Sequence, residues 1–155
     1  MKSVTFVTAI VLNAVGIQIA AGRNIEVPTY DELFARANFI VIAQPVTKTR
    51  DTLEHKVFTK NISPAIPAIG VATEFECLHV IKGGSKQRFT LHHYREDRSG
   101  LHGIEDIIVN GPAYMSFEPE AGGQIFLMFL VRERDGRFAP VAGQMDPDLS
   151  IYELK

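Results

Sequence analysis

Gly70-Val-Ala-Thr-Glu-Phe-Glu-Cys-Leu-His-Val-Ile-Lys-Gly-Gly84 is the stretch from which the fold can be read. Val71, Thr73, Phe75 and Cys77 alternate with Ala72, Glu74, Glu76 and Leu78, the period of a strand with one buried face. From Leu78 the alternation blurs, since Val80 and Ile81 are both apolar. A β-bulge there would move the buried face across the strand and bend it, as a closed barrel requires. Gly83-Gly84 marks the turn that follows.

The neighbouring segments repeat this grammar. Phe39 to Val46 is almost continuously apolar and β-branched, which predicts a strand buried on both faces, with Pro45 bending its end. Thr47 to Phe58 reads as a second, exposed strand. Pro64 and Pro67 argue against regular structure from Thr59 to Ile69. Arg88 to Arg95 sends Phe89, Leu91 and His93 to one face and Thr90, His92 and Tyr94 to the other. Ala113 to Phe117 is a short strand candidate. Gln124 to Glu133 holds the most hydrophobic run after the N-terminal stretch. Asp135-Gly136 is a hairpin signal. Phe138 to Ala142 returns along it, with Pro140 marking an edge, and Leu149 to Leu154 alternates as a last strand. Ahead of all these strands, Thr29-Tyr-Asp-Glu32 has the Thr-x-x-Glu pattern that starts a helix. Leu33, Phe34 and Ala37 supply the apolar side of that helix, which ends near Asn38.

The expected fold is therefore mainly β: a small closed barrel of five or six strands with one short N-terminal helix. Its inward residues should include Phe39, Val41, Phe75, Cys77, Phe126, Met128 and Phe138. A chain of 155 residues supports one such domain, here residues 23–155.

Lys2 followed by the apolar run Val4 to Ala21 and the small residues Ala20-Ala21-Gly22 reads as a signal peptide over residues 1–22. The protein is then secreted or periplasmic, with no stable membrane insertion after cleavage. Cys77 is the only cysteine, so no disulfide forms within the chain and cysteine-rich zinc sites are excluded. The formal charge of −2 leaves no basic excess for phosphates, which argues against nucleic acid as a partner.

Ala37-Asn-Phe-Ile-Val-Ile-Ala43, Thr73 to Gly83 and Phe126-Leu-Met-Phe-Leu130 through Pro140-Val-Ala-Gly-Gln144 resemble poorly characterised secreted bacterial proteins. Those proteins are thought to share the OB-like barrel of the netrin module and the tissue inhibitors of metalloproteinases. The resemblance implies an OB-like barrel over roughly residues 29–145. It does not extend to the inhibitory chemistry. The inhibitors place an N-terminal cysteine on the catalytic zinc, whereas the expected new N-terminus here is Arg23-Asn24-Ile25.

No catalytic motif is present: there is no Gly-x-Ser-x-Gly elbow and no phosphate-binding glycine loop. No cofactor, metal site or catalytic residue is therefore assigned. His92 and His93 point to opposite faces of one strand and cannot easily share a metal. His92 and Tyr94 do share a face, and with the 96–111 loop they form the basis of an alternative reading as a metal-dependent or acid–base enzyme. A structural component of the cell envelope is a third reading. The leading one is an exported binding module whose partner is an extracytoplasmic protein. Its contact surface is the loop Glu96 to Gly111, where Arg98, Leu101, His102, Glu105 and Asp106 mix charge with apolar side chains. Loops of that length are often functional.

Overall fold

The computed structural model describes residues 25–59, 65–99, 113–119 and 123–155. The expected signal peptide and Arg23 and Asn24 of the expected new N-terminus lie outside them. Helix α1 (Tyr30–Arg36) precedes seven strands: β1 (Phe39–Pro45), β2 (Arg50–Phe58), β3 (Ile66–Lys82), β4 (Arg88–Glu96), β5 (Ile125–Arg132), β6 (Phe138–Pro140) and β7 (Ile151–Leu154). Five of them close a barrel in the order β1-β3-β4-β6-β5, and β5 pairs back onto β1. All barrel pairings are antiparallel except β4 with β6, which meet in parallel at Leu91 and Phe138. The two extra strands are flanking: β2 pairs β3, and β7 pairs β5. This is the Greek-key connectivity of an OB-like barrel.

β3 is the long element shared by barrel and flank. Its first half pairs β2 on one side and β4 on the other, and its second half pairs β1. Against β4 the register runs unbroken from Ala68↔Glu96 to Glu76↔Arg88. Val71, Thr73 and Phe75 therefore share a face with Leu91 and His93, inside the barrel. Against β1 the register slips twice, where Cys77 pairs Ala43, His79 pairs Ile42, Val80 pairs Val41 and Lys82 pairs Ile40. Leu78 and Ile81 are the extra residues. The first slip moves the inward position from odd to even numbers, so Cys77 and Val80 both pack on the core. Both bulged residues are left exposed. At the following turn, Gly83 has φ 105°, and a Cβ there would lie 2.8 Å from the Asn38 carbonyl. Only glycine fits that turn.

The barrel interior is aromatic. Phe39, Val41, Phe75, Phe89, Leu91, Phe117, Phe126, Met128, Leu130 and Phe138 form one buried cluster. Six of the seven expected inward residues belong to it, and the seventh, Cys77, is half-buried against its edge. Helix α1 starts as expected: the Thr29 side chain accepts from the Glu32 amide, and the Glu32 carboxylate accepts from the Thr29 amide at 2.8 Å. Leu33 and Ala37 pack with Ile40 and Phe129 on the outer surface of β1 and β5.

Three local expectations are corrected. Pro67 lies within β3, because its backbone oxygen accepts from the Asp97 amide at the end of β4. A residue's N and O point the same way in a strand, so the missing N–H faces the last rung of that ladder, where no donor is required. Residues 113–118 form no strand; they run as an irregular segment whose Phe117 plugs the core. Pro140 is not on an edge, since β6 sits between β4 and β5. It is tolerated because only Phe138 bridges to β4.

Five residues connect β5 to β6, and the Glu133–Arg137 pair closes a loop of the middle three, Arg134 to Gly136. The Glu133 amide donates to the Arg137 carbonyl and the Gly136 amide to the Glu133 carbonyl, with Gly136 at φ 92°. That is a turn closed by a left-handed glycine, one residue longer than the shortest hairpin.

Candidate functional site

The densest polar cluster among the described residues lies on the outer face of β3 and β4, around His92. Its assembly begins with β2. Asp51 pairs Val71 and His55 pairs Ile69, so Thr52, Leu53 and Glu54 together oppose Gly70. The surplus residues lift into a bulge, with Leu53 at its apex 98% exposed. The Thr52 hydroxyl pins the bulge by donating to the Gly70 carbonyl at 3.0 Å. A Cβ on Gly70 would lie 2.6 Å from that hydroxyl oxygen and 3.2 Å from His92 Nε2. The glycine is what lets β2 approach, and the approach brings Glu54 over His92.

His92 is 1% exposed and has a carboxylate opposite each ring nitrogen. Nδ1 donates to Glu133 Oε2 at 2.8 Å. Nε2 is 3.3 Å from Glu54 Oε2 and makes no hydrogen bond to it. The Gln144 amide donates to Glu133 Oε1 at 3.0 Å. Its 3.1 Å approach to His92 Nδ1 is not a second hydrogen bond, because that nitrogen's proton is committed to Glu133. The Tyr94 hydroxyl donates to Glu54 Oε2 at 3.3 Å, and its ring stands against His92 with centroids 5.0 Å apart.

Arg137, from the far side of the β5–β6 loop, closes the cluster. It reaches Glu54 at 2.6 Å and Asp135 at 2.7 Å, with Glu133 at 3.7 Å. Its hydrogen bond is the main reason the Glu54 carboxyl sits below its usual range, with the charges of His92 and Arg137 adding to it against desolvation. Burial works against the guanidinium charge, but the Glu54 bond and the surrounding carboxylates outweigh it and hold Arg137 above its usual range. Burial, then the neighbouring Glu54 charge, pushes the Tyr94 hydroxyl up, so it serves as a donor.

Mechanically, this arrangement fastens the β2 bulge and the β5–β6 loop to the barrel wall. A general base must come within hydrogen-bonding reach of its substrate's proton, and the His92 ring is covered by the protein's own Glu54 and Gly70. No group of three or more His, Cys, Asp or Glu side chains among the described residues has the arrangement to hold a metal ion.

The two histidines separate as their alternation predicts. His93 lies inside the barrel, fully buried, with Nε2 donating to the Met115 carbonyl at 3.0 Å and its ring edge-on to Phe117. His55 is mostly exposed beside Asp97 at 3.8 Å, and His79 is exposed. Cys77 is half-buried, and desolvation raises its thiol despite Lys86 nearby.

Of the residues expected to bind a partner, Leu101, His102, Glu105 and Asp106 lie outside the described residues. Arg98 is described: it is exposed, and it pairs with Glu96 at 3.0 Å. With Arg95, Glu96 and Tyr114 it lines an open cleft of about 400 Å³ at the end of β4, where Tyr114 is 53% exposed. Glu54, Glu133, Arg137 and Gln144 were not foreseen around His92. Their only signal is their chemistry, and β2, β5 and β6 are brought over β4 by tertiary pairing alone.

No protein-family model matches the chain, and neither the curated proteins nor the solved structures contain a significant match to it.

Proposed function

We propose that the protein is an exported binding module that engages an extracytoplasmic protein at the cleft formed by Arg95, Glu96, Arg98 and Tyr114. One observation carries this reading. OB barrels commonly bind on the face of their second and third barrel strands, which here are β3 and β4. The Gly70–His92 end of that face is filled by the protein's own β2 bulge, with Glu54 clamped by Arg137 and Tyr94. The exposed Arg and Tyr at the end of β4 are the side-chain types that most often anchor protein interfaces. No helix among the described residues is long and apolar enough to cross a membrane.

The resemblance to the netrin and metalloproteinase-inhibitor barrels belongs to this proposal as kinship of scaffold. The zinc-directed inhibition of that group is not carried over, because the chain's single cysteine, Cys77, sits in the middle of β3.

Affinity capture from the envelope fraction of the native host tests the reading. The wild type should retain a partner that the Arg98→Ala/Tyr114→Ala variant releases, with unchanged thermal unfolding. Replacing residues 97–110 by a short Gly/Ser link should leave the barrel folded, since closure entropy varies slowly with loop length, and should abolish capture. Equal capture by all three proteins would overturn the proposal.

A further inference from the structure

We propose that the other end of β4 carries a second site, a pocket for a small organic anion whose charged head lies between Lys86 and Arg132. Four chain segments converge there: the start of β1, the β3–β4 turn, the end of β5 and the start of β6. They enclose a pocket of about 240 Å³ lined by Asn38, Ser85, Lys86 and Arg132, with Phe39 and Phe138 as its floor. The volume lies just below the usual range of about 300–1,000 Å³ for ligand pockets, which limits the occupant to a small molecule.

The charge of the pocket is unbalanced. Neither Lys86 nor Arg132 has an ion-pair partner among the described residues. The acids nearest Arg132 in sequence, Glu133 and Asp135, are engaged by His92 and Arg137, and Glu76, which shares an open surface with Lys86, accepts from the Gln44 amide at 3.1 Å. Lys82 and Arg88 flank the same turn, so a chain with a formal charge of −2 presents a cationic pole here. Local fields of this kind concentrate anions and speed their arrival.

The geometry is fixed before a ligand arrives. The Arg132 amide donates to Asn38 Oδ1 at 3.0 Å, which joins the two walls and leaves the Asn38 amide nitrogen as a donor. Lys86 Nζ sits 5.4 Å from the Phe138 ring centroid, and that ring packs on Phe39 at 4.7 Å. The floor is thus part of the barrel core and cannot collapse into the pocket. Gly84 adds openness, since a Cβ there would meet nothing within 4 Å. Two cations lining one pocket above aromatic rings, with Lys86 over the Phe138 ring, select a carboxylate or phosphate head joined to a compact apolar body.

The probes are benzoate, phenyl phosphate, inorganic phosphate and phenol, titrated into the full chain while the amide resonances of residues 84–87 and 132 are followed by NMR. Benzoate and phenyl phosphate should saturate at that end of the barrel, at least tenfold more tightly than inorganic phosphate or phenol. In Lys86→Gln/Arg132→Gln their affinity should fall at least tenfold. Both side chains are exposed, so thermal unfolding should not change, and Arg50→Gln, at an exposed cation elsewhere, should bind normally. Lack of saturation by either organic anion, or undiminished affinity in the double variant, would overturn the site. Phenol binding as tightly as the anions would remove the role of charge. Inorganic phosphate binding as tightly as phenyl phosphate would remove that of the aromatic floor.

Discussion

His93 shows how one side chain can set the acid limit of the fold. Its Nε2–H is spent on the Met115 carbonyl, so the bare nitrogen of the neutral ring is Nδ1, and Nδ1 has no hydrogen-bond partner. A second proton would have to sit there, inside the barrel. Burial, with a smaller contribution from His92, accordingly lowers its pKa from 6.5 to about 4, against the Met115 hydrogen bond. The unfolded chain therefore binds this proton more readily than the native one. Stability from this group is complete above about pH 6.5, falls as the pH drops, and is lost by about pH 4, a change on the order of 3 kcal/mol. Urea unfolding between pH 7 and pH 4 should show that slope, and His93→Gln should flatten it. An unchanged slope in the variant would mean that other groups carry the acid sensitivity. Phe75 tests the same interior by volume. It is fully buried, with Phe89, Phe117 and Phe126 at centroid distances of 5.5, 5.0 and 6.3 Å. Phe75→Ala should cost about 3–5 kcal/mol, read as a shift in denaturation midpoint.

At the scale of elements, β2 is the flanking strand whose ladder to β3 and Phe58 packing are reinforced by charge. It pairs with β3 along one edge only and is tied down by two clamps. Glu54 meets Arg137 and Tyr94 on the outer face, and Asp51 accepts two bonds from Arg95, at 2.8 and 2.6 Å, on the other. Glu54→Ala should loosen β2 selectively. Its amides should exchange hydrogen faster while those of β4 and β5 hold, because local openings cost less than global unfolding. Global stability should fall by only about 1 kcal/mol, since the carboxylate is partly exposed. Equal acceleration across all strands would mean that the clamp belongs to the barrel itself. This element also marks where sequence reading stops. The helix cap, the alternation of β3 and β4, and the blur at Leu78 are local signals, and each has a local structural cause. The bulge at Thr52–Glu54 is not visible in the polar sequence of β2, because it exists only against Gly70, 16 residues after Glu54. The partners of His92 come from β2 and from the β5–β6 loop, and no spacing rule joins them. Pro67 misled because a proline is judged by what its missing N–H would face, which only the sheet reveals.

The whole molecule is held by a closure between distant parts of the chain. The first part, β1 to β4, is a continuous antiparallel sheet built on β3, which pairs β1, β2 and β4, and carries Phe39, Val41, Phe75, Phe89 and Leu91 on its inner face. That face has no cover of its own. Phe126, Met128, Leu130 and Phe138, from β5 and β6, supply the opposite wall, and β5 also closes the hydrogen-bonded ring by pairing with β1 from Phe39↔Leu130 to Ala43↔Phe126. Neither part can bury its apolar surface without the other, and a sheet left open along β1 would expose an unpaired edge. The full chain should therefore unfold in a single cooperative transition by both aromatic absorbance and far-UV dichroism. A fragment of residues 25–99 should lack a near-UV signature, bind an apolar dye and tend to aggregate. Adding a peptide of residues 123–155 should restore the near-UV signal, because it returns both the wall and the seam. Two separated transitions in the full chain, or a fragment that folds alone with native-like hydrogen exchange in β3 and β4, would show that the sheet of β1 to β4 is an independent unit and that β5 to β7 only dock on it.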